Sequence, residues 1–285
     1  MAGAYTVTQA ANALTQQWTA DYGFKPFEEM VIGNDFDEPN GVSFTGSTLN
    51  ARQLAKITAQ AMAASSTGQS PTYDNTAIIN VTGTPSAYQA AVSVPNHLLS
   101  RMGDADSAKL LAGFRRQLLG GLNEGIDANL CGPIGSGFST VIGPGNIDKT
   151  ALLAAVQAVI TNSGNHTEWG VTPLFFKFHP SQIKYVMNIS EIMSAELRGD
   201  DENPYVTGRI VRALNMAFKE TANVQFTGGF YYNMLHTKKA AMLVWNQKPK
   251  VKEVQEFEYS SRVLGWTDAC AFEQFDEDGV ALKSA

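Results

Sequence analysis

Acid–base or metal chemistry in this chain would fall first to His97, His166, His179 and His236, because histidine titrates near neutrality without special help. None of the four has a helical i, i+4 partner or an H-E-x-x-H context, so no metal site is expected. His179 immediately precedes Pro180 and reads as a strand end leading into a helix rather than as a general base. A nucleophile fares no better. Gly137-Phe138-Ser139-Thr140-Val141 departs from G-x-S-x-G at its last position, and no serine has an assignable partner. The acidic runs Asp35–Glu38 (DFDE) and Asp276–Gly279 (DEDG) offer oxygen ligands for a cation, but neither has EF-hand spacing, so solvated turns are expected. The glycine-rich stretch from Gly132, GPIGSGFSTVIGPGN, invites a phosphate cradle. It contains neither G-x-G-x-x-G nor G-K-[ST], and a connecting loop is the plainer reading. No catalytic, cofactor-binding or metal-ligating residue is assigned, and an enzyme is not expected.

With no site to position, the elements carry the information. The chain has 285 residues, 44% of them hydrophobic, enough to bury one sizeable core or two. A net charge of −6 argues against a surface dominated by nucleic-acid binding, which needs clustered Lys and Arg. Cys131 and Cys270 cannot build a disulfide framework, and a cytosolic origin fits. No signal peptide or membrane span is expected, since no stretch approaches about 18 consecutive apolar residues. The Asn-X-Ser/Thr strings at Asn80, Asn165 and Asn188 then read as chance occurrences.

The best-signalled element is a helix over Asp104–Cys131, about 40 Å long at about 1.5 Å per residue. Leu111, Phe114, Leu118, Leu122 and Ile126 form its apolar stripe, with Leu119 and Leu130 on the shoulder. Asp104 can cap it, and Gly132-Pro133 should stop it. Arg115 falls inside the stripe and must snorkel or pair. Gly113, Gly120 and Gly121 lie roughly opposite, each costing about 1 kcal/mol against alanine, which implies close packing on that face.

Upstream, Val7, Ala11, Leu14 and Trp18 have helical spacing, and Tyr22, Phe24, Phe27 and Phe36 follow among breakers. These rings pack either on their own domain or on a neighbouring subunit. Residues 41–85 are poor in large apolar groups; 51–64 suit a helix, Thr76–Thr82 a strand, and the whole could instead be a projecting hairpin. Contact with something outside the domain is the favoured account of so long a polar excursion. Tyr88–Val94 reads as a strand, as does Leu174–Phe178, LFFKF, of the kind buried on both faces. Between them Asp148 caps a densely apolar helix, KTALLAAVQAVIT, and after the second strand Pro180 opens another helix. Arg209–Phe218 is helix or strand. The last third is strand-rich: Ala240–Trp245, Val254–Tyr259, Val263–Phe272 and a closing edge strand VALKSA, together an antiparallel sheet fit to cross the long helix.

The order of segments, with TAIINVTGTPSAYQAAVSVPNHLLSRM before the long helix, FKFHPSQIKYVM in the middle and GWTDACAFEQFDEDGVALKSA at the end, resembles the major capsid proteins of tailed double-stranded-DNA bacteriophages. The resemblance spans nearly the whole chain and implies an α+β Hong Kong 97-like fold. It implies an N-terminal arm at 1–40, an extended loop at 41–85, a peripheral domain at 86–134 and 228–285 with spine helix 104–131, and an axial domain at 135–227. It further implies a shell protein without cofactors that assembles with itself as pentamers and hexamers in the virion. Made in the bacterial host's cytoplasm, the shell would enclose double-stranded DNA without sequence-specific binding and without membrane contact. Portal, scaffolding and decoration or cement proteins are the further partners implied. The start at Met1 without a long helical pre-segment suggests a separate scaffolding partner. Some such proteins crosslink through a loop lysine; Lys56 is the only lysine in 41–85, and that chemistry is not carried over. An encapsulin-like compartment and a soluble α/β enzyme are the alternatives.

Overall fold

The computed structural model describes residues 29–38, 49–54, 78–95, 104–163, 171–193, 212–213, 215–257 and 260–285. Its first strands, β1 (Leu49–Leu54) and β2 (Ile78–Gly83), pair antiparallel as a separate two-stranded sheet. The hairpin reading therefore holds for the ends of the 41–85 excursion, and a helix beginning at residue 51 does not. Strand pairing overrides helix propensity there; residues 55–77 lie outside the described set.

Strand β3 (Ser86–Pro95) leads to helix α1 (Asp104–Ile126), which ends in one π turn, Asp127–Cys131. Leu110, Phe114, Leu118, Leu122 and Ile126 are its buried residues. Leu110 thus takes the place expected for Leu111, which is half-buried, and Leu119 is 36% exposed. Each fully buried Leu or Phe contributes about 2 kcal/mol, so this stripe is what keeps a glycine-containing helix folded. Arg115 resolves its conflict by pairing with Glu253 at 3.0 Å. The close approach occurs on the other partner: a Cβ on Gly265 of the sheet would lie 3.0 Å from Leu122 Cδ1, whereas one on Gly121 or Gly125 would meet nothing within 4 Å. The helix's glycine face is thus open at Gly121, while Gly120 is buried, so the packing inferred from its composition holds at one of these two positions and not at the other. The helix lies on a three-stranded antiparallel sheet of β10 (Ala241–Phe257), β11 (Ser260–Glu273) and β3. The described parts of the runs expected at 240–245 and 254–259 fall on one strand, Ala241–Phe257, interrupted by register shifts; residues 258–259 lie outside the described set.

After the short helix α2 (Ile134–Gly137) and β4 (Val141–Ile142), helix α3 (Lys149–Asn162) begins as expected, with Asp148 Oδ1 accepting the Ala151 N–H at 2.7 Å. It buries Leu152, Ala155, Val156 and Val159 but exposes Leu153, so only one face is in the core. The second sheet runs β4, β12 (Gly279–Ser284), β9 (Phe230–Thr237), β5 (Leu174–Phe178), β7 (Met216–Glu220), β6 (Arg212–Ala213), with β8 (Phe226–Thr227) beside β9. Within the range left open between helix and strand, Arg212–Ala213 and Met216–Phe218 are strand, with Asn215 between them at φ 58°; residues 209–211 and 214 lie outside the described set. Two features differ from expectation. The closing strand is flanked by β4 and β9, so it is not an edge. The expected boundary at 228 also does not follow the sheets, because β9 and β12 belong with β5 rather than with β10 and β11.

Alternation along β5 divides the cores. Leu174, Phe176 and Phe178 pack with α3, Met216, Phe218 and Leu235. The opposite face of this sheet shares a second core with Met30, Ile32, Phe36, Ile126, Cys131 and Leu243. Phe36 is 2% exposed in that core, so this ring packs on its own chain; Tyr22, Phe24 and Phe27 lie outside the described residues.

Candidate functional site: the seat of the N-terminal segment

A lysine inside LFFKF has to face one side of a buried strand. In register, Phe175 lies opposite His236 and Lys177 opposite Met234 and Lys219, so period-two alternation puts Lys177, Lys219 and His236 on one sheet face. Residues 29–38 cover that face. Lys177 is 0% exposed; its Nζ donates to the Val31 carbonyl at 2.8 Å and pairs with Asp35 Oδ2. Lys219 Nζ reaches the other oxygen of Asp35 at 2.7 Å. Both ammonium groups lie near the Phe175 ring, 5.7 and 5.8 Å from its centroid.

Asp127 grips the same segment from the helix side. It is 0% exposed, and its carboxylate accepts the N–H groups of Val31 (3.0 Å), Ile32 (2.9 Å) and Gly33 (2.8 Å) and the amide of Asn223 (3.1 Å). An aspartate at a helix C-terminus opposes the macrodipole, and here the converging donors offset that. The π turn places it: Gly132 N–H donates to the Asp127 carbonyl at 2.8 Å, adding one residue to the turn and rotating the carboxylate toward the segment. Past the seat, Asp37 N–H donates to Ala241 O at 3.0 Å and Leu243 N–H to Asp37 O at 2.9 Å, tying the segment to the first sheet.

Burial pushes Lys177 down from the usual lysine range to about 6, with the Lys219 ammonium adding in the same direction. Lys219 is lowered less strongly by burial, opposed by its hydrogen bond to Lys177 and by Asp127. His236 is 0% exposed between Phe36 and Phe175, its Nδ1 donating to Thr237 O at 2.8 Å and its Nε2 without a partner. Burial, then Lys177, lower it to about 3, so the ring is neutral.

The acidic runs are anchors and not solvated turns. Asp35 and Asp278 are buried; Asp278 Oδ2 accepts from Thr237 Oγ1 at 3.0 Å, and Asp276 Oδ1 accepts the Ser139 N–H at 2.7 Å. His179 caps the turn into Pro180, its Nδ1 accepting the Ser181 N–H at 3.2 Å, and stacks on Tyr231. His97, His166 and Lys56 lie outside the described residues. Among the described residues, no cluster of His, Cys, Asp or Glu could hold a metal ion, and no helix is long and apolar enough to cross a membrane. Sequence reasoning missed Lys177, Asp127 and His236; the lone lysine in an apolar strand and the aspartate at a helix C-terminus were the available signals. The arrangement binds and orients a chain segment; it does not present a reactive group to a substrate.

An open groove of about 530 Å³ runs beside the segment, lined by Met30, Phe36, Arg116, Gly120, Leu243 and Trp245 among others.

No protein-family model and no curated protein matches this chain. Its fold, however, is that of phage capsid chains. The capsid of the Cyanophage P-SCSP1u matches with TM-score 0.67 at 11% identity, covering 96% of this chain and 94% of that one. A chain of Mycobacterium phage Che8 matches with TM-score 0.67 at 14% identity, covering 94% and 96%. The capsid of Myoviridae Phage XM1 matches with TM-score 0.61 at 10% identity, covering 96% and 98%. The chain has the α+β, Hong Kong 97-like fold.

Proposed function

We propose that this chain is the major capsid protein of a tailed bacteriophage, assembling with itself as pentamers and hexamers into an icosahedral shell around double-stranded DNA. The observation that carries this reading is the match in fold over nearly the full length of both chains. A second observation agrees with it. The β1–β2 hairpin is a two-stranded sheet, which is marginal alone in water and gains most from contacts with neighbouring copies. In a shell, modest contacts suffice because each is multiplied over many subunits.

The peripheral domain of this reading comprises β3, α1, β10 and β11, and the axial domain comprises the second sheet with α3. Residues 41–85 form the extended loop, and the chain before residue 40 the arm. Portal, scaffolding and decoration proteins are the expected partners, and the virion the place of action. Electron microscopy and sedimentation of the purified full-length chain test the proposal. Rings or shells are expected, with nuclease-protected DNA in particles recovered from infected cells. A chain that stays monomeric or dimeric under all assembly conditions refutes it, and shells filled with enzyme cargo point to a compartment.

A further inference from the structure

We propose that residues 29–38 are a reversible latch: a strap across the seam between the two sheets that docks and releases as one unit and decides whether the sheets move together. The sheets are joined covalently by short turns at 238–240 and 274–278. The strap spans the same seam without covalent ties. Lys177 and Lys219 hold it from one sheet, Asp37 bonds to Ala241 and Leu243 of the other, and Asp127 holds it from the helix end.

The chemistry of the seat argues for reversibility. Apart from the Asp37 pairing, the strap's backbone is held by the side chains of Asp127 and Lys177 rather than by a strand ladder. A ladder partner left empty is a sticky edge. A vacated seat of two lysines and a carboxylate takes up water instead. Against that, Ile32 (0% exposed) and Phe36 (2% exposed) give the docked state its apolar hold. The strap is therefore fastened by a few strong, hydratable contacts plus two apolar plugs, as a releasable element requires.

The structure supplies a lock for the test. A Cβ on Gly33 would lie 3.0 Å from Sγ of the free, buried Cys131, close to the spacing that an S–S bond of about 2.05 Å sets; Met30 Sδ at 2.9 Å and Leu243 Cδ2 at 3.1 Å, both ends of flexible side chains, must give slightly, so the reduced form is the reference for the oxidised one. Hydrogen exchange on the full chain is then compared for wild type, Asp35→Asn and Gly33→Cys, the last oxidised and reduced. In wild type the Val31, Ile32, Gly33 and Asp37 amides should exchange by a local opening, well before those of Phe176 and Leu235. Asp35→Asn should speed the strap amides at least tenfold and leave Phe176 and Leu235 unchanged. Oxidised Gly33→Cys should abolish the local opening, and reduction should restore it. Strap amides that exchange only in step with Phe176 and Leu235, in wild type and in Asp35→Asn, would overturn the latch.

An assembly arm rests on the shell reading: oxidised Gly33→Cys subunits should form one particle form, and reduction should restore any others. A latch seen by exchange in a chain that never assembles would count against the shell reading and leave the latch standing. Particles that change form equally with the lock closed would overturn the latch's role.

Discussion

Replacing Asp127 with alanine removes the acceptor for three consecutive backbone N–H groups and the Asn223 amide at once. Hydrogen bonds to a charged group contribute about 1.5–3 kcal/mol each, so simple addition over the three backbone donors would give roughly 5–9 kcal/mol. That sum overstates the effect. Three unpaired donors buried against Ile126 are worse than an undocked strap, so the strap leaves, and the loss stops at the free energy of docking it. Burial of Ile32 and Phe36, about 2 kcal/mol each, sets the scale of that ceiling. The expected destabilisation is about 3 kcal/mol, or roughly 6–12 °C in Tm for a chain of this size. Urea unfolding of the unassembled subunit measures it. Because the variant's native state would already have released the strap, its m-value should fall as well. Asp127→Asn keeps one carbonyl oxygen for Ile32 and Gly33 and should lose about half as much. A loss below about 0.5 kcal/mol for alanine, with an unchanged m-value, would refute the claim that this carboxylate anchors the strap.

His236 supplies a pH dependence. Its folded value near 3 lies below the 6.5 of the free side chain, so between those values the unfolded chain binds the extra proton, and stability rises with pH across the window and is lost on acidification. The contribution lost is about 2 kcal/mol by pH 5, at about 1.4 kcal/mol per unit; unfolding curves for His236→Phe should be flatter than wild type between pH 6.5 and 4, and parallel curves would remove the histidine from the account. Glycine substitutions should split in two: Gly279→Ala drives a methyl into the Phe138 ring and should cost about 1–3 kcal/mol in the subunit. Gly121 is exposed and a Cβ added there meets nothing within 4 Å, so Gly121→Leu should leave subunit stability within about 0.5 kcal/mol of wild type while reducing particle yield; lost stability with normal particles would make that face ordinary core.

The elements with strong local signals were legible. Asp148 before an apolar helix, Pro180 in a first turn and the long amphipathic helix appear where spacing puts them. Misreadings arose where tertiary context overrode a local rule. ARQL at 51–54 has helix propensity, but its partner is a strand at 78–83, invisible to any window of the sequence. VALKSA looked like an edge because it comes last, yet sheet order is set by which strands pair, and β4 arrives from 140 residues upstream to cover it. Acidic runs without ligand spacing suggested solvated turns, whereas Asp35 and Asp278 are buried because their partners come from β5, β7 and β9.

The seat was hidden for a related reason. Its charged members, Asp35, Asp127, Lys177 and Lys219, are spread over 185 residues, and each alone looks like a flaw in its own element. One is an aspartate at the wrong end of a helix, another a lysine in a core strand. Each position is destabilising by itself, and only mutual satisfaction makes the set tolerable. A fully apolar seam would serve stability as well or better, since buried ion pairs seldom add more than well-packed hydrophobic groups. What the charges add is dependence on one occupant: remove residues 29–38 and the seat holds unpaired charge, which water can solvate but no wrong apolar segment can satisfy. The same groups that weaken the case for a stability role therefore strengthen the case for a selective, releasable joint between the two sheets.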